Sequence, residues 1–247
     1  MKPIYRQSFT LDDMAVDCHG RLKLSTLLFL AQEVAGRHSD RLGTDYDTLS
    51  QRRLFWAVTR HRVQITRLPL RGETVTVETW PMPTTRVAFP RSMVAYDAQG
   101  NELFRLISLW VLMDLDNRNM VLPGKSGVNV EGTLTGSELA VPHSLVPKTM
   151  GNAASRTVTY SCLDRNGHMN NTRYLDWVDD LLGSEFHRTH TPRELVICYH
   201  NEALEGQQLK LGWELSQDGC LQVDAHRENT DVPGKQDRIF SAQVLFE

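Results

Sequence analysis

Two kinds of hydrophobic periodicity alternate along this chain, and each occurs twice. Leu24, Leu27, Leu28, Ala31 and Ala35 recur at helical spacing, as do Asn171, Tyr174, Leu175, Val178, Leu181 and Leu182, so each set predicts a helix with one apolar face. Ser25, Asn170 and Asn171 are the candidate N-caps. Downstream of each helix the period falls to two: Val75 and Val77 alternate with Thr74, Thr76 and Glu78, and Leu209, Leu211, Trp213 and Leu215 alternate with Lys210, Gly212 and Glu214. That alternation suits half-buried antiparallel strands, and Asp218-Gly219 reads as a hairpin turn.

The two halves also match residue by residue. The stretch 17–26 lies under 164–173 without a gap, keeping Asp17 with Asp164 and Gly20 with Gly167, and 63–72 lies under 197–206 in the same way. Between about Gly124 and Ser155 the chain is rich in Gly, Ser, Thr, Asn and Pro and has no sustained period, so it reads as a connection. The expected organisation is a first domain over 1–130, a linker over 131–155 and a second domain over 156–247. A helix packed on an antiparallel sheet, made twice, is an α+β arrangement. The pattern leaves open whether the copies share one sheet or back onto each other.

Composition narrows the class. With 40% hydrophobic and 23% charged residues and a formal charge of -3 over 247 residues, the chain reads as a soluble globular protein, not one that coats nucleic acid. The amino-terminal stretch lacks a signal-peptide core, and the most apolar run, Leu106 to Met113, is far shorter than the ~20 residues a membrane span needs. No membrane partner is expected, and a cytoplasmic location is the default. Cys18, Cys162, Cys198 and Cys220 stand singly, which suits a reducing compartment. His187, His190 and His200 have no compact metal-ligand spacing, and neither a Gly-rich phosphate loop nor a Gly-x-Ser-x-Gly elbow occurs, so no metal and no cofactor are expected.

Candidate chemistry concentrates in Asp164-Arg165-Asn166-Gly167-His168-Met169-Asn170-Asn171-Thr172-Arg173-Tyr174, where a carboxylate, a carboxamide and an imidazole precede the second helix. This stretch resembles the Asp-x-Asn-x-His-x-Asn-Asn-x-x-Tyr active-site motif of the acyl-acyl carrier protein thioesterase family. Two further segments carry the likeness: Tyr199-His200-Asn201-Glu202-Ala203, similar to the family's Tyr-Arg-Arg-Glu-Cys strand, and Leu54-Phe55-Trp56-Ala57-Val58-Thr59-Arg60, similar to its Trp-x-x-x-Arg entry to the first sheet. The resemblance covers nearly the whole chain. It implies a tandem double hotdog, each half a long helix on a curved antiparallel sheet, and hydrolysis of fatty acyl-acyl carrier protein thioesters. It also implies that Asp164, Asn166, His168 and Glu202 form the catalytic network, that the second domain carries it, and that the first supplies acyl pocket and carrier contacts. One position departs, because many plant members have a cysteine where this chain has Ala203. A cysteine nucleophile paired with His168 is therefore in doubt.

Thioester hydrolysis needs a base for water and donors for the oxyanion. Glu202 or Asp164 could activate water or attack directly, His168 could move protons or polarise the carbonyl, and Asn166 could orient substrate or water. The backbone N–H groups of Gly167 and His168, near a helix start, are the expected oxyanion donors, with Gly167 allowing close approach. The first copy has Asp17, His19, Arg21 and Leu68 at the matching places, so one active site per chain is expected. Asn170 and Asn171 are explained by capping, and Tyr174 and Trp177 by core packing. Arg52, Arg53, Arg60, Arg62 and Arg67 either attract an acidic carrier or decorate strand faces. Alternatives are an acyl-coenzyme A thioesterase or a non-catalytic acyl-binding module, and analogy with single-hotdog proteins allows a homodimer.

Overall fold

In the computed structural model, which describes residues 4–229, 232 and 234–247, the helical pattern that starts at Leu24 becomes a single 19-residue helix, and the chain divides into two units between Pro142 and His143. The first unit comprises β1 (Tyr5–Thr10), α1 (Leu24–Leu42), α2 (Tyr46–Gln51), β2 (Leu54–Ile65), β3 (Thr74–Pro81), β4 (Phe89–Tyr96), β5 (Glu102–Asp114), β6 (Met120–Val121) and α3 (Pro123–Ser126). Its strands are antiparallel neighbours in the order β1-β3-β4-β5-β2, with β6 on β5.

Leu24, Leu27, Leu28, Ala31 and Ala35 of α1 are all buried, and each such leucine contributes roughly 2 kcal/mol by leaving water. Ser25 does not cap this helix. Helical backbone begins one residue earlier, Lys23 occupies the cap position without a side-chain bond, and Ser25 is buried. At the other end Gly43, at φ 68°, directs its N–H back to Asp40 and Ser39, a left-handed stop that favours glycine.

Part of the segment expected as a linker belongs to this unit. The Thr133 N–H bonds the Pro81 carbonyl, Trp80 Nε1 donates to Glu138 at 3.0 Å, Arg105 Nη1 to Ser137 O at 3.0 Å, and Arg60 Nη1 to Pro142 O at 3.1 Å. A Cβ on Gly132 would lie 2.2 Å from Pro83 N, so the chain crosses there at a separation only glycine permits. These are tertiary anchors, and no periodicity announces them.

The second unit comprises β7 (Asn152–Thr157), single 3₁₀ turns at Tyr160–Cys162 and Asn171–Arg173, α4 (Tyr174–Asp179), α5 (Gly183–Thr189), β8 (Pro192–Tyr199), β9 (Gln208–Leu215), β10 (Cys220–Glu228) and β11 (Gln236–Phe246). Strand order is β8-β11-β10-β9-β7. β7 begins inside the stretch read as linker, because its sequence, Asn-Ala-Ala-Ser-Arg-Thr, is an exposed edge without apolar alternation. The β9–β10 connection turns at Gly219, φ 78°, as Asp218-Gly219 predicts. Both units are thus helix on antiparallel sheet, the expected α+β class.

The second helix differs from the first in being broken. Asp179 and Asp180, poor helix formers, precede a turn, and Gly183 restarts the chain at φ 71°. His187 Nε2 spans the gap by donating to the Asp179 carbonyl at 2.9 Å, which also accepts from Leu182 N at 3.3 Å, so the helix end is tied to α5.

A polar seam runs through the first unit. Arg91, Ser108 and His61 are cross-strand neighbours on β4, β5 and β2, and all are buried together with His38 of α1. Arg91 Nη1 donates to His38 Nδ1 at 3.0 Å, so the His38 proton resides on Nε2 and the ring is neutral. Burial, with Arg91 and Arg41 nearby, lowers the His38 pKa to about 4, and burial takes His61 to about 3. Unfolding frees both imidazoles to bind protons near their ordinary pKa of about 6.5. Their stabilisation is therefore complete above about pH 6.5 and is lost as pH falls toward the folded values. Urea unfolding at a series of pH values between about 7 and 4 should show this decline, and His38→Gln should make it shallower. An unchanged pH slope in the variant would contradict the assignment.

Candidate active site

The site is built from a loop after the first 3₁₀ turn of the second unit and the turn after β8. Isolated backbone bridges join Leu163 to Met169 and His168 to Leu204, and the Met169 N–H donates to the Ala203 carbonyl at 2.8 Å. The loop closes on itself through Asp164 N to His168 O at 2.8 Å and Gly167 N to Asp164 O at 3.0 Å. Gly167 has φ 78°, and a Cβ there would meet nothing within 4 Å. Glycine suits this left-handed backbone conformation, and no protein atom crowds the open side of the residue.

His168 and Glu202 meet directly, with Nδ1 3.2 Å from Oε1. A carboxylate oxygen at this distance favours the imidazole tautomer with its proton on Nδ1, the one in which Nε2 is the basic nitrogen. The histidine side chain is 15% exposed and the glutamate 49%, so the acid reaches in from the surface to a sheltered ring. Asp164 turns its carboxylate onto its own loop: Oδ1 accepts from Asn166 N at 2.8 Å and His168 N at 3.4 Å, while Oδ2 lies 3.5 Å from Asn166 Nδ2. The four predicted residues therefore gather on one loop pair, with His168 and Glu202 in side-chain contact and Asp164 and Asn166 beside them.

The backbone donors expected for the oxyanion are engaged. Gly167 N and His168 N bond within the loop, so the reading that they face substrate is corrected. Asn170 caps the 3₁₀ turn, its Oδ1 accepting from Thr172 N at 2.9 Å, and the Asn171 carbonyl accepts from Tyr199 OH at 3.0 Å. Tyr174 is buried against the rings of Trp177, Tyr199 and Phe240, and desolvation raises its phenol above the ordinary range. Ala203 is fully buried.

The first unit repeats the scaffold with other side chains. Asp17 Oδ1 accepts from His19 N and Arg21 N, both at 2.9 Å, and bridges join Val16 to Leu22 and Arg21 to Leu70. Arg21 stands where His168 does, bonding Asp17 at 3.3 Å, and buried Leu68 stands where Glu202 does. Four of the five arginines weighed as a carrier patch have local partners: Arg53 pairs with Asp116, Arg67 with Glu73 and Asp97, and Arg52 and Arg60 donate to carbonyls. Sequence reasoning missed Arg227, whose Nη1 donates to the Glu202 carbonyl at 3.0 Å; its place in strand β10 carries no motif.

Comparison with known proteins identifies the family. The acyl-ACP thioesterase N-terminal domain model matches residues 2–122 and the C-terminal domain model matches 147–241. The chain belongs to the acyl-ACP thioesterase family. It is 25% identical over 213 residues to a chloroplastic acyl-[acyl-carrier-protein] hydrolase of Cuphea viscosissima, covering 80% of this chain and 52% of that one. It is likewise 25% identical to oleoyl-acyl carrier protein thioesterase 1 of Arabidopsis thaliana over 217 residues, 80% of this chain and 60% of that one. The chain thus spans between half and two thirds of the length of these curated relatives. Among solved structures, an acyl-ACP thioesterase from Bacteroides thetaiotaomicron aligns with TM-score 0.88 and 24% identity over 99% of this chain and 98% of its own. The 12:0-ACP thioesterase of Umbellularia californica aligns at 0.81 and 21%, over 100% and 98%. The fold is accordingly the family's double hotdog.

Because Asp17 and Asp164 hold equivalent loops, Asp17→Ala and Asp164→Ala should each cost about 1–2 kcal/mol in urea unfolding, as a charged acceptor of two N–H groups is lost. An Asp164→Ala protein of native stability would show that this carboxylate does not serve the loop.

Proposed function

We propose that the chain hydrolyses fatty acyl-acyl carrier protein thioesters to free fatty acid and carrier thiol, ending acyl elongation. The contact between His168 Nδ1 and Glu202 Oε1 at 3.2 Å carries the reading, on a domain matched by the family's C-terminal model. Glu202 fixes the imidazole tautomer, His168 Nε2 takes a proton from water as the oxygen attacks the thioester carbonyl, and the imidazolium returns that proton to the departing thiolate. Asp164 keeps the loop closed, and Asn166, exposed at its tip, orients water or substrate. The acyl carrier protein is the partner that presents the substrate. The free cysteines Cys18, Cys162, Cys198 and Cys220 support a reducing, cytoplasmic setting. No helix among the described residues is long and apolar enough to cross a membrane.

The test is thiol release from medium- and long-chain thioesters of acyl carrier protein and of coenzyme A. Carrier thioesters should turn over faster, and His168→Ala and Glu202→Gln should each lower kcat/KM by about a hundredfold or more, the scale on which general-base catalysis operates. A preference for coenzyme A would overturn the carrier assignment, and no turnover by the folded protein would favour an acyl-binding module. Single turnover in heavy-oxygen water should label the fatty acid alone; label in the Glu202 carboxylate would mean direct attack through an anhydride.

A further inference from the structure

Glu202 lies in a turn, outside any regular element and half-exposed, yet its carboxylate is aimed at one nitrogen of His168. Nothing in a free turn would hold that direction, so the attachments of residues 200–207 decide it. The β10–β11 ladder pairs Ala225 with Phe240 and then His226 with Arg238, passing over Ile239. The Ile239 carbonyl accepts from His200 N at 2.8 Å and Asn201 N at 3.3 Å, and Asn201 Nδ2 donates to Arg238 O at 2.7 Å. A bulge of this kind twists a strand and redirects its neighbours. Just past it on β10, Arg227 extends to the turn.

Arg227 Nη1 donates both to the Glu202 carbonyl at 3.0 Å and to Gln207 Oε1 at 2.6 Å. Gln207 Oε1 also accepts from Leu204 N at 2.9 Å, so one guanidinium and one amide tie the two ends of the turn together. The arginine is itself backed by Asp237 at 3.4 Å, and that carboxylate takes the Asn229 amide at 2.9 Å on each oxygen. The first unit supplies the contrast. There Glu73 stands in place of Gln207 and accepts from Leu70 N at 2.8 Å, but its guanidinium partner is Arg67, within the same connection, bonding at 2.9 and 2.7 Å. In the unit with an acid at position 202, Asn201 stands where Arg67 does, and the arginine comes from a strand and grips the acid's own carbonyl.

We infer that Arg227 is a positioning residue for thioester hydrolysis: it fixes the main chain of Glu202 so that the carboxylate meets His168. The inference rests on the hydrolytic reading of the His168–Glu202 pair. Its test is a double-mutant cycle on the full chain, measuring kcat and KM on an acyl carrier protein thioester for Arg227→Met, Glu202→Gln and the pair, with thermal melting as the folding control. Arg227→Met is expected to lower kcat by roughly tenfold to a hundredfold while KM moves less than about threefold, since the defect lies in the reacting geometry. In the Glu202→Gln background the same change should have little further effect, because residues acting as a unit are not additive. Arg227→Lys, which keeps a charged donor but loses the fork, should recover part of kcat; if Arg227→Met does not fold, this variant carries the cycle. A kcat loss equally large in the Glu202→Gln background, or native kcat in Arg227→Met, overturns this inference alone. Native turnover in Glu202→Gln overturns the role of the His168–Glu202 pair in hydrolysis and this inference together.

Discussion

The bridge between His168 and Leu204 is the constraint on which the site depends. It is made of backbone groups, so it fixes where two distant segments meet whatever side chains they carry. Once Met169 N has bonded Ala203 O, His168 on one strand of the contact and the turn carrying Glu202 on the other are within reach, and the attachments of that turn direct the carboxylate. A side-chain ion pair at a half-exposed position would by itself be worth under about 1 kcal/mol and could not hold two loops together. The scaffold brings the pair into contact, and the pair then sets the imidazole proton.

The internal duplication shows which parts are scaffold. Bridges, left-handed glycines and aspartate-capped loops recur in both units, from Gly20 and Asp17 to Gly167 and Asp164. Only the groups projecting from that frame change: Arg21 and Leu68 in one unit, His168 and Glu202 in the other. An arginine beside the loop aspartate forms an internal ion pair, whereas the imidazole turns to a glutamate from the neighbouring turn. The same division explains why Asp164, one of two carboxylates open to a direct chemical role in the sequence, is turned inward onto N–H groups.

Local pattern made much of this legible. The helix from Leu24, the alternating strands, the Asp218-Gly219 turn and the register of the two copies all follow from spacing along the chain, and the residue register is reproduced by matching hydrogen bonds. What escaped depends on partners remote in sequence. β7 is a polar edge strand defined by its pairing with β9; the anchors of 131–142 are carbonyls and carboxylates meeting Trp80, Arg60 and Arg105; and the break before Gly183 occurs where the first copy, with Gly36 at the matching place, continues as helix. The fate of the Gly167 and His168 N–H groups, and the hold of Arg227 on Glu202, likewise appear only once tertiary bonds are drawn.

Nitrogen-15 spectroscopy of the His168 imidazole at neutral pH, assigned by its loss in His168→Gln, tests directly whether Glu202 sets the imidazole proton. A proton on Nδ1 with an unprotonated Nε2 is expected, and a change in that population in Glu202→Gln. A proton resident on Nε2 in the native protein, or a tautomer indifferent to the glutamate, would contradict it.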